Sequence, residues 1–257
     1  MKLILSYVRT AIWLAYPLIF LLSCASPKDY DISYAWSPVE INSDVEGSEH
    51  IEAIIAPYRD RLDSTMEEVI GYASHDLTTQ GEYESTLGTF VTKLLRDQSA
   101  SFYEKQVDVA IMNHHGGLRA PINKGPITLG EVFEVMPFEN EMVLLDIPGD
   151  SLTKVIEFIS QSGRSMIWPA SFHITASGVE NIQVDGQEID PNKHYTLAIS
   201  DYLANGGGSF KMLKPLKRLD VRPIKLRDMI VQEIKQQTAK GDSIQMEVLN
   251  LITVSDQ

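Results

Sequence analysis

Apolar residues recur with a helical spacing in several parts of the chain, and short apolar runs separate these parts. Spacings of three and four residues place side chains on one helix face, and they predict helices over about 51–62, 84–98, 152–159 and 226–237. Short apolar and β-branched runs predict strands at about 107–112, 142–147, 172–175, 179–184, 195–200 and 247–254. Helices and strands mixed in this order predict a single layered domain of mixed α/β (α+β) class over residues 49–257.

Local signals predict where some of these elements begin or end. Pro57 should kink the first helix or start a new one, because proline lacks the backbone donor of a helix interior. Thr128 and Glu131 have the spacing of a capping box, which predicts a short helix that ends before Pro137. Asp150 is predicted to cap the helix that follows it.

The first residues of the chain have the pattern of an export signal. Lys2 and Arg9 precede an apolar run over residues 11–22, which is too short to span a bilayer comfortably. Residues 1–23 are therefore predicted to be a cleaved signal peptide, and a permanent membrane helix is the less favoured interpretation.

Cys24 follows Leu-Leu-Ser, and this segment resembles a bacterial lipobox, in which the cysteine after the cut carries the lipid. The alternative is an incidental cysteine in an ordinary signal peptide. Lipid on Cys24 implies an exported protein anchored to a bacterial membrane and facing the periplasm or the cell surface. Residues 24–48 are polar and are predicted to be a tether. Because Cys24 is the only cysteine, the chain forms no internal disulfide and no cysteine-based metal site.

Composition and charge restrict the class of partner. The chain is 44% hydrophobic and 22% charged, which is typical of a folded globular protein. It carries 35 Asp and Glu against 22 Lys and Arg, a formal charge of −13. A negative surface repels a phosphodiester backbone, so DNA and RNA are not expected partners. An anionic small ligand needs local donors that act against this overall charge.

One loop has the chemistry of an anion site. Residues 113–119 (NHHGGLR) follow a predicted buried strand, and ligand sites in open α/β sheets commonly lie beyond the carboxyl end of such a strand. The amides of Gly116 and Gly117 can form an anion-binding concavity, and Arg119 can add a bidentate fork. A purely structural glycine turn with a nearby surface arginine is the alternative.

Two further loops each supply an aromatic ring. Residues 136–140 (MPFEN) contain Phe138 and Asn140, and residues 200–210 (SDYLANGGGSF) contain Tyr202 before a run of three glycines. The glycines predict a flexible loop or a close approach of the backbone. Two aromatic rings on separate loops can stack on a base. The spacing alone equally fits rings at the core or its rim.

The histidines do not indicate a metal centre. None of the six has a metal-ligand spacing, and the adjacent His114 and His115 point to opposite faces if the strand continues through them. No serine-hydrolase, P-loop or dinucleotide-binding motif is present in the sequence. The sequence therefore predicts no metal site in this chain.

Several motifs together carry a family resemblance. They occur in one order along the chain: ESTLG at 84–88, GGLR at 116–119, ITLGE at 127–131, MPFEN at 136–140 and LANGG within 195–210. From about Ile51 onward, the sequence resembles the C-terminal, substrate-recognition domain of the 5'-nucleotidase and UDP-sugar hydrolase family. The resemblance implies a mixed α/β domain of the 5'-nucleotidase C-terminal type.

The resemblance also implies a binding site. In this family the C-terminal domain clamps a nucleoside between two aromatic rings, and these positions fall on Phe138 and Tyr202. Asn140 matches a polar contact beside the base. The other binding residues that the resemblance implies are Arg119, Gly116 and Gly117.

Three positions depart from the family pattern. Gly208 stands where members commonly carry an aspartate that contacts the ribose hydroxyls. Tyr83 replaces an arginine before the first motif, and His114 replaces the asparagine that usually lies two places before the glycine pair. The polar half of the site is therefore expected to be thinner than in the family.

Catalysis in this family resides in a separate N-terminal metallophosphoesterase domain, where paired metal ions activate water. The metal-binding motifs of that domain are absent from the sequence, and only the predicted signal and tether precede the predicted domain. The resemblance therefore implies no catalytic residue and no cofactor in this chain. Divalent metals are expected only in a partner catalytic domain.

Three functions follow from these observations. The favoured one is a lipid-anchored nucleotide- or nucleoside-recognition domain that works with a separately encoded metallophosphoesterase in nucleotide catabolism or salvage. The second is a binding lipoprotein without catalysis. The third is an autonomous hydrolase that uses His114, His115 and Asp201, and it is the least favoured because these residues lack a metal-ligand spacing.

Overall fold

The computed structural model describes residues 34, 36–38, 40, 42, 46–105, 107–220 and 223–255. The predicted signal peptide and Cys24 lie outside these residues, as does much of the predicted tether. The chain divides into two units, Met1–Glu49 and His50–Gln257, and the architecture below is that of the second. Within the described part of the chain, no helix combines the length and apolar character needed to cross a membrane.

Helices and strands alternate along this unit. The helices are α1 (Glu49–Met66), α2 (Thr86–Tyr103), α3 (Leu129–Val135), α4 (Gly149–Ser162), α5 (Asp201–Ala204) and α6 (Leu226–Ala239). Single helical turns cover His114–Gly117, Gly207–Ser209 and Lys211–Leu213. The strands are β1 (Val69–Ala73), β2 (Val109–Met112), β3 (Gly125–Thr128), β4 (Met142–Pro148), β5 (Met166–Trp168), β6 (Ala170–Thr175), β7 (Gly178–Val184), β8 (Gln187–Glu188), β9 (His194–Ser200), β10 (Lys217–Asp220) and β11 (Ile252–Val254).

A five-stranded mixed sheet forms the centre, in the order β10-β4-β9-β2-β5. Strands β2 and β9 are parallel, whereas β4 pairs with β9, and β5 with β2, in the antiparallel sense. A second sheet has the order β11-β6-β7-β8, and β1 pairs with β3. This arrangement confirms the predicted single layered domain of mixed α/β class.

Strand β2 feeds two hydrophobic cores because successive side chains of a strand point to opposite faces. Ala110 and Met112 join the core formed with α2, α3 and α6. Val109 and Ile111 join the core formed with α4 and the second sheet. Burial on both faces accounts for the unbroken apolar run that predicted this strand.

The capping box predicted at the start of α3 is confirmed. Glu131 donates its backbone N–H to the Thr128 hydroxyl at 3.2 Å, and its carboxylate accepts the Thr128 backbone N–H at 2.7 Å. The helix ends before Pro137, as predicted. This short helix places the segment that leads into β4.

Asp150 does not cap α4, so that prediction is wrong. The helix begins at Gly149, and Asp150 lies in its first turn with its carboxylate on Ser151 and Lys154. The reason is a tertiary contact. Gly149 donates its N–H to the carbonyl of Lys193 at 2.9 Å, and a Cβ at Gly149 would lie 2.1 Å from the carbonyl oxygen of Asp190.

The first helix also differs from its prediction. Helix α1 continues through Pro57, so the new helix predicted as one of two outcomes does not start there. None of its 18 residues, all of them described, is buried. Its apolar stripe is 41–66% exposed, over Ile51, Ile54, Ile55, Tyr58 and Leu62.

The last strand is shorter than the predicted run over 247–254. Strand β11 contains only Ile252–Val254, because it pairs in parallel with three residues of β6, Phe172 to Ile174. Leu251 still accepts the N–H of Phe172 at 3.1 Å, but residues 247–250 have no strand partner within the described part of the chain. Pairing rather than apolar character sets the length of this strand.

Candidate functional site

The predicted binding segments meet at one end of the five-stranded sheet. Strands β2 and β9 both end there, whereas the antiparallel β4 and β5 begin there. The connecting segments surround a cavity of about 660 Å³. This volume lies within the range of about 300–1,000 Å³ that is typical of small-molecule sites.

The glycine turn after β2 depends on its two glycines for different reasons. Gly116 has φ +96°, a conformation that side chains disfavour. Gly117 packs so closely that a Cβ would lie 2.5 Å from Oδ1 of Asn113. The chain then reaches Arg119, whose backbone N–H donates to the carbonyl of Val135 at 2.8 Å. This bond ties Arg119 to the end of α3.

The turn that carries Phe138 is fixed by a buried arginine. Arg227 is 5% exposed and donates to the carbonyls of Met136 and Phe138 at 3.3 and 3.4 Å, and it also binds the Glu139 carboxylate. Hydrogen bonds from Lys225 and Arg227 lower the pKa of Glu139 to about 2. The turn is therefore anchored from α6, and its carboxylate stays paired and ionised.

Tyr202 is held in place by the glycine run that follows it. A Cβ at Gly207 would lie 2.5 Å from the Tyr202 ring, so only a glycine lets the ring lie against the backbone here. The Tyr202 hydroxyl accepts the N–H of Gly208 at 3.1 Å. The glycines thus serve a close approach of the backbone, one of the two uses predicted from the sequence.

All six residues that the sequence singled out for binding line this cavity: Arg119, Phe138, Asn140, Tyr202, Gly116 and Gly117. Their role in binding stays a prediction, but their convergence from three separate segments is a property of the fold. Phe138 and Tyr202 are 38% and 49% exposed. Each ring therefore has apolar surface that a ligand can cover.

The cavity also has lining residues that the sequence reasoning did not assign to binding. Phe158 of α4 meets Phe210 in an edge-on contact with ring centroids 4.9 Å apart. Arg164 lies in the segment between α4 and β5. Phe210 ends the segment 200–210 quoted above, but no sequence motif marks Phe158 or Arg164, because only the strand order brings α4 and the segment before β5 to the loop after β2.

The charge of the cavity is opposite to that of the whole chain. Its described lining contains Arg119 and Arg164 and neither Asp nor Glu. Both guanidinium groups lack a hydrogen bond or ion pair with any residue that the structure describes. Unpaired guanidinium groups favour an anionic ligand, because they form short charge-assisted hydrogen bonds with phosphate and carboxylate oxygens.

His114 and Asp201 have structural positions. His114 is fully buried, and its Nδ1 lies 2.9 Å from the Ser85 hydroxyl. Burial, followed by the neighbouring His115, lowers the pKa of His114 to about 4, so the ring is neutral at pH 7. The Asp201 carboxylate accepts the backbone N–H of Tyr202 at 2.8 Å. These contacts do not support the hydrolytic centre considered for His114, His115 and Asp201.

The donor set of this domain does not fit a metal ion. Across residues 46–105, 107–220 and 223–255, no three His, Cys, Asp or Glu side chains come together in a group that could hold one. Imidazole and carboxylate groups are the ligands that catalytic metals require when cysteine is absent. No catalytic step is therefore assigned to a metal within the described residues.

Sequence similarities identify the relatives of this domain. Residues 65–215 match the family model for the 5'-nucleotidase, C-terminal domain. Endonuclease YhcR of Bacillus subtilis is 29% identical over 191 residues, which cover 71% of this chain and 15% of that protein. Protein UshA of Yersinia enterocolitica is 32% identical over 114 residues, which cover 42% of this chain and 20% of that protein.

The fold is similar to that of a solved nucleotidase. The 5'-nucleotidase precursor from Thermus thermophilus aligns with a TM-score of 0.67 and 25% sequence identity, covering 80% of this chain and 43% of that chain. The chain thus spans less than half the length of each of these three relatives. Because the family model matches more than half of the sequence and the fold agrees with it, the chain belongs to the 5'-nucleotidase C-terminal domain family.

Proposed function

We propose that this domain recognises the nucleotide for a 5'-nucleotidase-type phosphohydrolase whose catalytic domain is a separately encoded metallophosphoesterase. The observation that carries the proposal is the convergence of Phe138, Tyr202 and Arg119 on one cavity. Two exposed aromatic rings suit a base, and an unpaired guanidinium suits a phosphate. A nucleotide contains both groups.

The departures from the family pattern define how recognition works here. Gly208 lines the cavity at φ +57°, in the position where relatives commonly carry an aspartate. With neither Asp nor Glu among the described lining residues, the ribose hydroxyls have no carboxylate acceptor in the cavity. The groups of a nucleotide that find aromatic and cationic partners in the cavity are therefore the base and the phosphate.

The proposal places the protein on a bacterial membrane through lipid on Cys24, facing the periplasm or the cell surface. Its support is the sequence around Cys24. A binding lipoprotein without catalysis is the second candidate; it would use the same cavity and differs from the first only in having no catalytic partner. A candidate metallophosphoesterase that hydrolyses AMP at a lower KM when this protein is added supports the first function. An unchanged KM with such partners supports the second.

Replacing Arg119 by alanine tests whether this arginine contacts the phosphate of the nucleotide. Charge-assisted hydrogen bonds contribute about 1.5–3 kcal/mol, so R119A should weaken AMP binding by about 10-fold to 150-fold. Adenosine lacks the phosphate, and its affinity should change by less than about 2-fold, a free-energy change of roughly 0.4 kcal/mol. Calorimetric titration of the full-length protein in mild detergent measures both affinities.

Arg61 provides the matched control for this experiment. It is an exposed arginine on α1, outside the cavity lining, and R61A removes the same charge. We expect R61A to bind AMP as the wild type does. An equal loss of AMP and adenosine affinity in R119A would contradict a phosphate contact, and the absence of any nucleotide binding by the wild type would overturn the proposed function.

A further inference from the structure

Arg164 is a second cationic group on the cavity, and no family motif marks it. Its side chain is exposed and makes no hydrogen bond or ion pair with any described residue. In a chain with 35 acidic residues, a guanidinium at a cavity whose described lining contains neither Asp nor Glu is available to a ligand. A nucleotide offers this guanidinium two kinds of partner, the phosphate and the base.

The backbone around Arg164 is fixed, although its side chain is free. Gly163, at φ +59°, ends α4 and donates its N–H to the carbonyl of Ile159 at 2.9 Å. The carbonyl of Arg164 accepts the N–H of His115 at 3.3 Å, and the His115 ring contacts the carbonyl of Gly81 at 2.9 Å. The side chain of Arg164 therefore extends from a hydrogen-bonded backbone segment beside the end of β2 and the start of β5.

The two arginines reach the cavity from different segments of the chain. Arg119 follows β2 and donates its backbone N–H to the carbonyl of Val135, three residues before Phe138. Arg164 precedes β5, the edge strand on the other side of β2. Tyr202 follows β9, which lies between β4 and β2. The two arginines of the cavity are therefore carried by separate segments, which allows them to contact different groups of one ligand.

A nucleotide has different chemistry at its two ends. If Arg119 holds the phosphate, as in the proposed function on which this inference rests, Arg164 is the remaining arginine of the described lining and is available to the edge of the base. An arginine carries only donors, in a planar fork that matches the O6 and N7 acceptors of guanine. Adenine presents an amino donor beside N7 and offers that fork one acceptor. We propose that Arg164 reads the base edge and selects 6-oxopurine nucleotides, with guanine or hypoxanthine, over adenine nucleotides.

The test compares nucleotides that share the same 5'-phosphate and differ only in the base. Calorimetric titration of the full-length protein in mild detergent should show GMP and IMP binding about 5-fold to 150-fold tighter than AMP, the discrimination typical of a bidentate arginine contact. R164A should abolish this preference by weakening GMP and IMP binding while AMP affinity stays within about 2-fold. R164K should retain only part of the preference, because an ammonium lacks the planar fork. R61A again serves as the control arginine and should keep the preference.

The outcomes separate this inference from the proposed function. Because Arg164 is exposed and unpaired, R164A should leave the thermal unfolding temperature unchanged, which excludes misfolding as the cause of lost binding. Equal affinities of the wild type for GMP, IMP and AMP would overturn the base-edge assignment alone. So would a loss in R164A that affects AMP as strongly as GMP and spares guanosine, since that pattern belongs to a phosphate contact. Failure of every nucleotide to bind the wild type would overturn both proposals.

Discussion

Replacing Tyr202 by alanine is expected to weaken nucleotide binding by about 5-fold to 150-fold, because stacking on an aromatic ring contributes about 1–3 kcal/mol per base. The ring is well placed for this contact. It is half exposed at the cavity, lies against Gly207 and is fixed by the N–H of Gly208. Little ordering of the side chain is then needed when a base binds, which lowers the entropic cost. Calorimetric titration with AMP measures the change.

Two further variants separate the ring from its hydroxyl and from general surface effects. Y202F keeps the stacking face and removes only the acceptor of the Gly208 N–H, so it should retain most of the affinity. Y58A removes an exposed tyrosine from α1, outside the cavity lining, and should have no effect. AMP affinity in Y202A within about 2-fold of the wild type, a change of roughly 0.4 kcal/mol, would remove Tyr202 from the proposed clamp.

The buried His114 is expected to make the stability of the domain fall in acid. Its pKa is lowered to about 4 by burial and by His115, whereas an unfolded histidine titrates near 6.5. As the pH falls below 6.5, the unfolded chain binds a proton that the folded chain does not accept, so the free energy of unfolding decreases until about pH 4. At about 1.4 kcal/mol per pH unit, the contribution is on the order of 3 kcal/mol.

Urea unfolding at several pH values between 4 and 7.5 measures this contribution. Carboxylates also titrate in that range, so the informative quantity is the difference in pH dependence between the wild type and H114N. The asparagine has no titrating ring, and its stability should depend less on pH. H50Q removes an exposed histidine from α1 and should keep the wild-type pH dependence. Parallel profiles for the wild type and H114N would contradict the assignment of a buried, neutral His114.

The sequence was sufficient where the determining interaction is local. The capping box at Thr128 and Glu131 lies within four residues, and the structure has it as predicted. The start of α4 could not be predicted in this way, because Gly149 is fixed by the carbonyl groups of Asp190 and Lys193, about 40 residues further along the chain. The length of β11 likewise depends on its distant partner β6.

The same distinction applies to the candidate site. Motifs marked Arg119, Phe138 and Tyr202 because each lies in a short segment with a characteristic order of residues. Arg164 and Arg227 have no such context. Arg164 reaches the cavity because β5 pairs with β2. Arg227 supports the Phe138 turn from α6. The positions of both arginines at the site can be recognised only when the strand order and the helix packing are known.

The exposure of α1 has a consequence for how the domain opens. Its amide hydrogens are held only by the helix itself, so solvent deuterium should replace them early. The amides of α2 lie behind the fully buried Leu87, Val91 and Leu95, and their exchange requires opening of the core. Helix α1 is therefore expected to open at a lower free energy than α2. A protease that removed α1 would leave the hydrophobic cores intact.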